Sequence, residues 1–490
     1  MRFTKSKPFL GAVAVGLTVG LSFLTGCAVN PATGDRQLAL FSEEEEIQLG
    51  RGSDPKIVAA MGLYDDESIQ RYVQNLGRAL ADASERPHLP WTFRVLDEPV
   101  INAFALPGGY IYVTRGILAY LESEAELAGV LGHEIGHVTA RHSVEQLSRT
   151  ELTQIGPRLA GILGPRVQNA VGLVLAPLQL FELKFSRDDE RQADALGVRY
   201  MARLGYEPQE LAEVMAMLAD VSAAEGEGRV PGWLSTHPTP ENREEDIRRA
   251  AAETPIAADP PRIGTEDYLP HVEGLVFGEN PREGYFKDNR FLHPGMAFEI
   301  TLPSGWEAKN LKQAVQGISP GEDALVMMAV ADGSSPREAM TAFTAQEGVQ
   351  VSGTSGESIN GIPASTADFF VMDGDSRLDG KVGFAYHQGV LIQIMGVGTP
   401  GAWGQNGPAV DRAIRSFRAV TDPEVLNAQP ARIRLFSVPG AMSLEEVLRQ
   451  EGALSEMGQV LQLNRLEGNP TLPAGAVLKI PSGARIPSGE

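Results

Sequence analysis

The stretch "LAGVLGHEIGHVTARH", Leu127 to His142, decides how the chain is read. Ser123 with Glu126 three residues later is a helix-start signature, and Leu127, Val130, Leu131, Ile135 and Val138 recur at a helical period. His133 and His137, four residues apart, then sit about 40° apart on the helix surface and one turn along it. Both imidazoles can reach one ion. Neutral imidazole nitrogens bind Zn²⁺ at roughly 2.0–2.1 Å, and Glu134 flanks the same face, outside the ligand set but close to an activated water. Gly129, Gly132 and Gly136 would each cost about 1 kcal/mol relative to alanine inside a helix, which predicts a second backbone packed closely beside this one. The competing reading is a helix whose two histidines are core or solvated residues.

The 490 residues suffice for roughly three domains. With 43% hydrophobic residues the chain should fold, and a net charge of −21 argues against capture of DNA or RNA, so no nucleic-acid partner is expected. Arg2, Lys5 and Lys7 precede an apolar run from Phe9 to Leu24 and then Leu24-Thr25-Gly26-Cys27. A basic start, an apolar core and small residues at the cut describe an export signal over residues 1–26. The run is short for a membrane span of about 20 residues. The tetrad resembles the bacterial lipobox, which implies lipidation of Cys27 and a membrane partner through that anchor. Ala28 in place of Asp favours, by the same resemblance, the periplasmic face of the outer membrane. Cys27 is the single cysteine, so neither a disulfide nor a thiolate nucleophile is available to the rest of the chain.

Texture divides the remainder. Residues 27–252 are rich in helix patterns, with Ser-x-x-Glu starts at Ser42 and Ser123. Residues 253–289 contain "TPIAADPPRIG" and "GENPREG", punctuation that predicts an extended linker. Residues 290–425 mix strand-like runs ("MAFEITLP", "ALVMMAVADG", "GVLIQIMGVG") with helical patterns at "SPREAMTAFTAQEG" and "AVDRAIRSFRAV", a mixed α/β domain. Residues 431–487 read as strand, helix capped by Ser443, second helix, turn, strand. The expected fold class is multidomain α+β.

A catalytic zinc needs three protein ligands and an open position. Downstream, "FSRDDERQADALG" begins a helix at Ser186 and places Glu190 and Asp194 on one face. Glu190 can complete a His-His-Glu set and Asp194 can accept from an imidazole N–H. Both could equally be solvated helix charges paired with Arg187 and Arg191.

"HEIGH" followed by "ERQADALG", preceded by "NAFALPGGYIYVTRGIL" and followed by "STHPTPENR", resembles the zinc metallopeptidases typified by the CAAX prenyl endopeptidases, and within them the soluble periplasmic branch. The likeness covers roughly residues 30–251. It implies a mainly helical zincin-type protease domain that binds one Zn²⁺ per chain through His133, His137 and Glu190, with Asp194 as the acid behind the ligands and Glu134 as general base. It also implies that Asn102, Ala103 and Phe104 lie on a strand edge that aligns an extended substrate. His237 would approach the metal as a gating fourth ligand or hydrogen-bond the oxyanion, and Arg243 would assist that stabilisation. The remaining histidines, His142 among them, fall outside any ligand spacing; His142, five residues past His137, should face elsewhere. Between His142 and Phe181 an apolar, Gly- and Pro-broken stretch reads as core, with a mobile lid or contact surface as the alternative.

The C-terminal unit resembles LysM modules, small βααβ folds that bind glycans such as peptidoglycan, although Gly440-Ala441-Met442-Ser443 departs from the usual Gly-Asp-Thr start. The middle unit is similar to Mog1/PsbP-type domains. Two functions follow as expectations. One is a zinc endopeptidase of the bacterial cell envelope whose partners are misfolded or misassembled envelope proteins or peptides. The other is a noncatalytic or latent assembly factor held to peptidoglycan. No G-x-S-x-G or P-loop motif supports a nucleophile or nucleotide alternative.

Overall fold

The structure is a computed structural model and describes residues 27–153, 185–225, 232–233, 237, 242–373 and 376–484. The expected export signal therefore lies outside the described residues, as does most of the apolar stretch after His142. An antiparallel pair, β1 (Cys27–Val29) and β2 (Arg36–Leu38), leads into α1 (Glu43–Met61). Ser42 caps α1 by accepting from Glu45 N, and the Glu45 carboxylate returns to Ser42 N. In α2 (Glu67–Asp82) the buried Ile69, Val73, Leu76 and Leu80 recur every three or four residues and face one core.

Strands β3 (Thr92–Leu96), β4 (Ala103–Leu106) and β5 (Tyr110–Thr114) form a sheet in the order β3-β5-β4, which leaves β4 at an edge. The β4–β5 turn needs Gly108: its φ is +81°, and a Cβ there would lie 2.7 Å from Ile47 Cα of α1. After the short α3 (Arg115–Tyr120) comes α4 (Glu124–Thr139), the helix of the opening motif, buried along all 16 residues. Ser123 accepts from Glu126 N, but here the box stays open. The Glu126 carboxylate takes Glu122 N and Arg465 instead.

Arg141, at φ +63°, separates α4 from α5 (His142–Thr153). Helix α6 (Arg187–Arg203), capped reciprocally by Ser186 and Asp189, crosses α4 closely. A Cβ on Gly132 would stand 3.2 Å from Gly197 Cα, and one on Gly136 would stand 3.0 Å from Ala193 O, so the close backbone approach expected from the glycines is present. Helices α7 (Glu210–Glu225) and α8 (Arg243–Glu253) complete the helical layer, α7 against α4 and α8 against α6 and α7.

Residues 253–289 are not an extended linker. Helix α9 (Thr265–Val272) buries Tyr268 and Val272 in the core that contains α4, Leu275 joins them, and β6 (Val276–Phe277) enters a sheet. The Pro and Gly residues bracket these elements, and the apolar spacing Tyr268, Val272, Leu275 outweighs the punctuation.

The middle domain begins at β7 (Tyr285–Lys287), which lies with β8 (Arg290–His293), β9 (Phe298–Thr301) and β17 (Arg418–Ala419) in a sheet ordered β17-β9-β8-β7. Strands β10 (Glu307–Leu311), β11 (Ala314–Ile318), β12 (Ala324–Ala331), β13 (Val349–Ile359), β14 (Ile362–Asp373), β15 (Ser376–His387) and β16 (Val390–Gly398) form a seven-stranded antiparallel sheet beside it, in the order β10-β11-β12-β16-β15-β14-β13. Alternate residues of β16 feed two cores: Ile392 and Ile394 meet Val410 and Ile414 of α11 (Pro400–Ser416), while Leu391, Met395 and Val397 share a cluster with Met340 and Phe343 of α10 (Pro336–Thr344). The result is an α/β/α arrangement, with helices where the sequence patterns place them.

In the C-terminal unit, β18 (Ala431–Ser437), α12 (Leu444–Gln450), α13 (Met457–Leu463) and β21 (Val477–Ser482) follow the expected order, with Ser443 forming a closed capping box on α12. Unlike an appended bead, this unit joins the protease side: β18 pairs with both β21 and β6, and Ile433 and Leu463 belong to the core that contains α4. Lys479, 2% exposed, donates to the carbonyls of Ala119, Tyr120 and Leu121 at 3.0, 3.2 and 2.9 Å, where α3 ends. The whole is a multidomain α+β protein. No helix among the described residues is long and apolar enough to cross a membrane.

Candidate metal centre

The last two turns of α4 supply His133 and His137, the first turn of α6 supplies Glu190, and His237 joins them from outside these helices. Donor atoms of His133, His137, Glu190 and His237 all lie within 4.8 Å of one another. His133 Nε2 and His137 Nε2 are 3.0 Å apart, and the Glu190 oxygens lie 3.5 Å from each. His237 Nδ1 is 2.9 Å from Glu190 Oε1 and 3.4 Å from His133 Nε2. All four side chains are at most 1% exposed. Imidazole nitrogens that face one another beside a carboxylate form a set of atoms suited to a divalent cation.

Each ligand is held from behind. His133 Nδ1 lies 2.8 Å from Asp194 Oδ1, so the ring donates outward there and keeps Nε2 for the cluster. Arg243 grips Asp194 through Nε and Nη2, both at 2.8 Å, and its Nη2 is 3.0 Å from Glu190 Oε2. Burial alone would lower the His133 imidazole, but its contacts with Asp194 and Glu190 outweigh that and raise it to about 9. His137 has no carboxylate behind it, and burial drives it well below the usual histidine range. Glu190 is held far below the usual carboxylate range because His237 and His133 outweigh the effect of its burial. His137 stacks on Phe185 with ring centres 4.0 Å apart.

Glu134 is fully buried, and among the described residues neither carboxylate oxygen has a hydrogen-bond donor. Burial raises its pKa, countered by His237 and His133. His237 Nε2 lies 3.5 Å from Glu134 Oε1. An unsatisfied carboxylate at the mouth of a ligand cluster is poised to accept a proton.

The other predicted residues are placed as follows. Asn102 leads into β4, which carries Ala103 and Phe104; Asn102 N and O both pair with Thr114, while its side-chain oxygen is buried without a partner. Trp233 N donates to Ile101 O, two residues before β4. Arg243, considered as an oxyanion group, is engaged with Asp194 and Glu190, and only Nη1 lacks a partner. Helix α8 is described from Arg243 onward, and Pro240 lies outside the described residues. Cys27 opens β1.

His142 corrects the sequence reading. It does not face away: His142 Nδ1 is 2.9 Å from His137 Nδ1, and the residue is 3% exposed. Extrapolating the α4 rotation fails because the helix ends at Thr139 and the left-handed Arg141 redirects the chain. His88, His271, His293 and His387 lie away from the centre: His88 pairs with Glu43, His271 stacks on Tyr72, His293 accepts from Met296 N and His387 meets Ala297 O.

Comparison with known proteins agrees with this geometry. Residues 67–251 match the model of Peptidase family M48. The chain is 31% identical to the β-barrel assembly-enhancing protease of Yersinia pestis over 49% of this chain and 50% of that protein. It is 28% identical to the β-barrel assembly-enhancing protease of Escherichia coli (strain K12), over 50% and 52%. It is 34% identical to the mitochondrial metalloendopeptidase OMA1 of Arabidopsis thaliana, over 38% and 37%. The match thus spans about half the length of the bacterial relatives.

Proposed function

We propose that this chain, a zinc metallopeptidase of family M48 through residues 67–251, is an endopeptidase of the bacterial cell envelope that cleaves misfolded or misassembled envelope proteins. The observation that carries the reading is the convergence of His133, His137 and Glu190 beside a Glu134 carboxylate that nothing else satisfies. When bound by those three residues, zinc supplies Lewis acidity toward a water and a scissile carbonyl. Glu134 takes the proton of the attacking water and delivers it to the leaving amine, a role suited to a carboxyl whose pKa burial has raised. Asp194, fixed by Arg243, keeps the His133 tautomer in register. An extended peptide would align along the β4 edge, with the unpartnered Asn102 oxygen available to a backbone N–H.

The envelope assignment rests on the Leu24-Thr25-Gly26-Cys27 tetrad and on similarity to proteases named for β-barrel assembly. Lipidation of Cys27 is tested by incorporation of labelled palmitate, lost in Cys27→Ala. Peptidoglycan binding by the C-terminal unit is supported only by its strand-helix-helix-strand order.

A latent form of the same enzyme is favoured by one feature: His237 sits inside the ligand cluster, 1% exposed, with Nδ1 2.9 Å from Glu190 Oε1. Casein cleavage by purified protein tests both readings. Activity abolished by chelator and by Glu134→Gln supports the peptidase; envelope assembly unaffected by Glu134→Gln supports a noncatalytic role. Higher activity in His237→Ala marks His237 as a gate, and lower activity marks it as an oxyanion donor.

A further inference from the structure

The two imidazoles of the centre are supported differently, and the second support reaches the start of the described chain. His137 Nδ1 lies 2.9 Å from His142 Nδ1. His142 Nε2 lies 2.8 Å from Gln192 Oε1, two residues beyond Glu190 on α6. Gln192 Oε1 also accepts from Asn30 Nδ2 at 3.1 Å, and Asn30 Oδ1 accepts from Ala32 N at 2.9 Å.

The direction of every proton in this chain follows from its two ends. Ala32 N can only donate, so the Asn30 amide must present its NH₂ to Gln192. The Gln192 oxygen, accepting from Asn30, accepts from His142 Nε2–H as well. A neutral His142 protonated at Nε2 leaves Nδ1 as an acceptor, so His137 must donate from Nδ1–H. That is the tautomer in which His137 Nε2, 3.0 Å from His133 Nε2, keeps its lone pair for a metal. His133 reaches the same state through the Asp194 carboxylate and Arg243; His137 reaches it through the His142 imidazole and two side-chain amides, with the Asp189 carboxylate 3.7 Å from His142 Nε2.

We propose that His142 is a positioning residue that fixes the ring and tautomer of His137 for metal binding, and that Gln192 and Asn30 tie this setting to the N-terminal strand pair. Asn30 directly follows β1, which Cys27 opens, so the residue expected to carry the membrane anchor lies three positions from the relay. The position of the anchored segment thereby bears on the metal ligand. The inference rests on His137 being a ligand.

The test measures zinc affinity of the full chain by competition with a chromophoric chelator, for wild type, His142→Phe, His142→Asn and Gln192→Leu. Tautomers are read from ¹⁵N-histidine NMR. Loss of a partner behind a metal-bound histidine costs about 10–100-fold in affinity. His142→Phe, which keeps a ring but offers no acceptor, should show that loss together with a mixed His137 tautomer. His142→Asn, whose side-chain oxygen replaces the Nδ1 acceptor, should recover most of the affinity, and Gln192→Leu should give an intermediate loss. Wild-type affinity in both His142→Phe and Gln192→Leu overturns the inference, as does an equal loss in His142→Phe and His142→Asn. A wild-type chain that binds no zinc overturns the metal-centre reading, and this inference with it.

Discussion

The two ends of helix α4 bury charge under opposite rules. At the N-terminal end, both oxygens of Glu126 are occupied, one by Glu122 N at 2.7 Å and one by Arg465 at 2.6 Å, and nearby Lys479 finds three carbonyls. Toward the C-terminal end, neither oxygen of Glu134 has a donor among the described residues, and three imidazoles and a carboxylate converge within 4.8 Å. Both carboxylates are essentially unexposed. The satisfied cluster fastens the C-terminal unit to the protease domain. The unsatisfied one is costly to fold unless a cation and a substrate complete it, which marks it as the site.

The sharpest break in this comparison is Glu134→Gln. Loss of a positioned general base costs about 10²–10⁴-fold in rate, so casein cleavage should fall by that range while bound metal and folding stay unchanged. Arg465→Ala makes the other end resemble the site by leaving Glu126 buried and unpaired; a broken buried pair costs about 3 kcal/mol, read in chemical denaturation, and proteolysis should release the C-terminal unit. Asp194→Asn removes the charge behind His133 and should weaken zinc binding about 10–100-fold.

The smallest effect is pH-dependent. Burial pulls Lys479 down to about 8 from an ordinary 10.5. The unfolded chain thus binds more protons than the folded one between these values, so this residue's contribution to stability is present above pH 10.5 and lost as pH falls through 8. The slope is at most about 1.4 kcal/mol per pH unit, and Lys479→Met should flatten it in denaturation curves taken between pH 7.5 and 10.

The same contrast explains what the sequence could reveal. His133, Glu134 and His137 share one helix and one spacing, and the glycines at 132 and 136 announce a close partner, so this half of the site is legible in a single window. Glu190 and Asp194 share a helical face, and resemblance rather than spacing singled them out. His142 was not legible, because the left-handed Arg141 breaks the rotation that periodicity assumes. Residues 253–289 were hidden by their prolines, although Tyr268 and Val272 carry a helical spacing into the core. Lys479 in "AVLKIP" reads as a solvent-facing strand residue, and its carbonyl partners are some 360 positions away. Contacts at that separation leave no local pattern.

The central claim is that His133, His137 and Glu190 hold one divalent ion, and elemental metal analysis of protein purified without added zinc tests it most directly. The account predicts one zinc per chain in wild type and in Glu134→Gln, and none in Glu190→Ala. Absence of stoichiometric metal from wild type, or its full retention in Glu190→Ala, would contradict it.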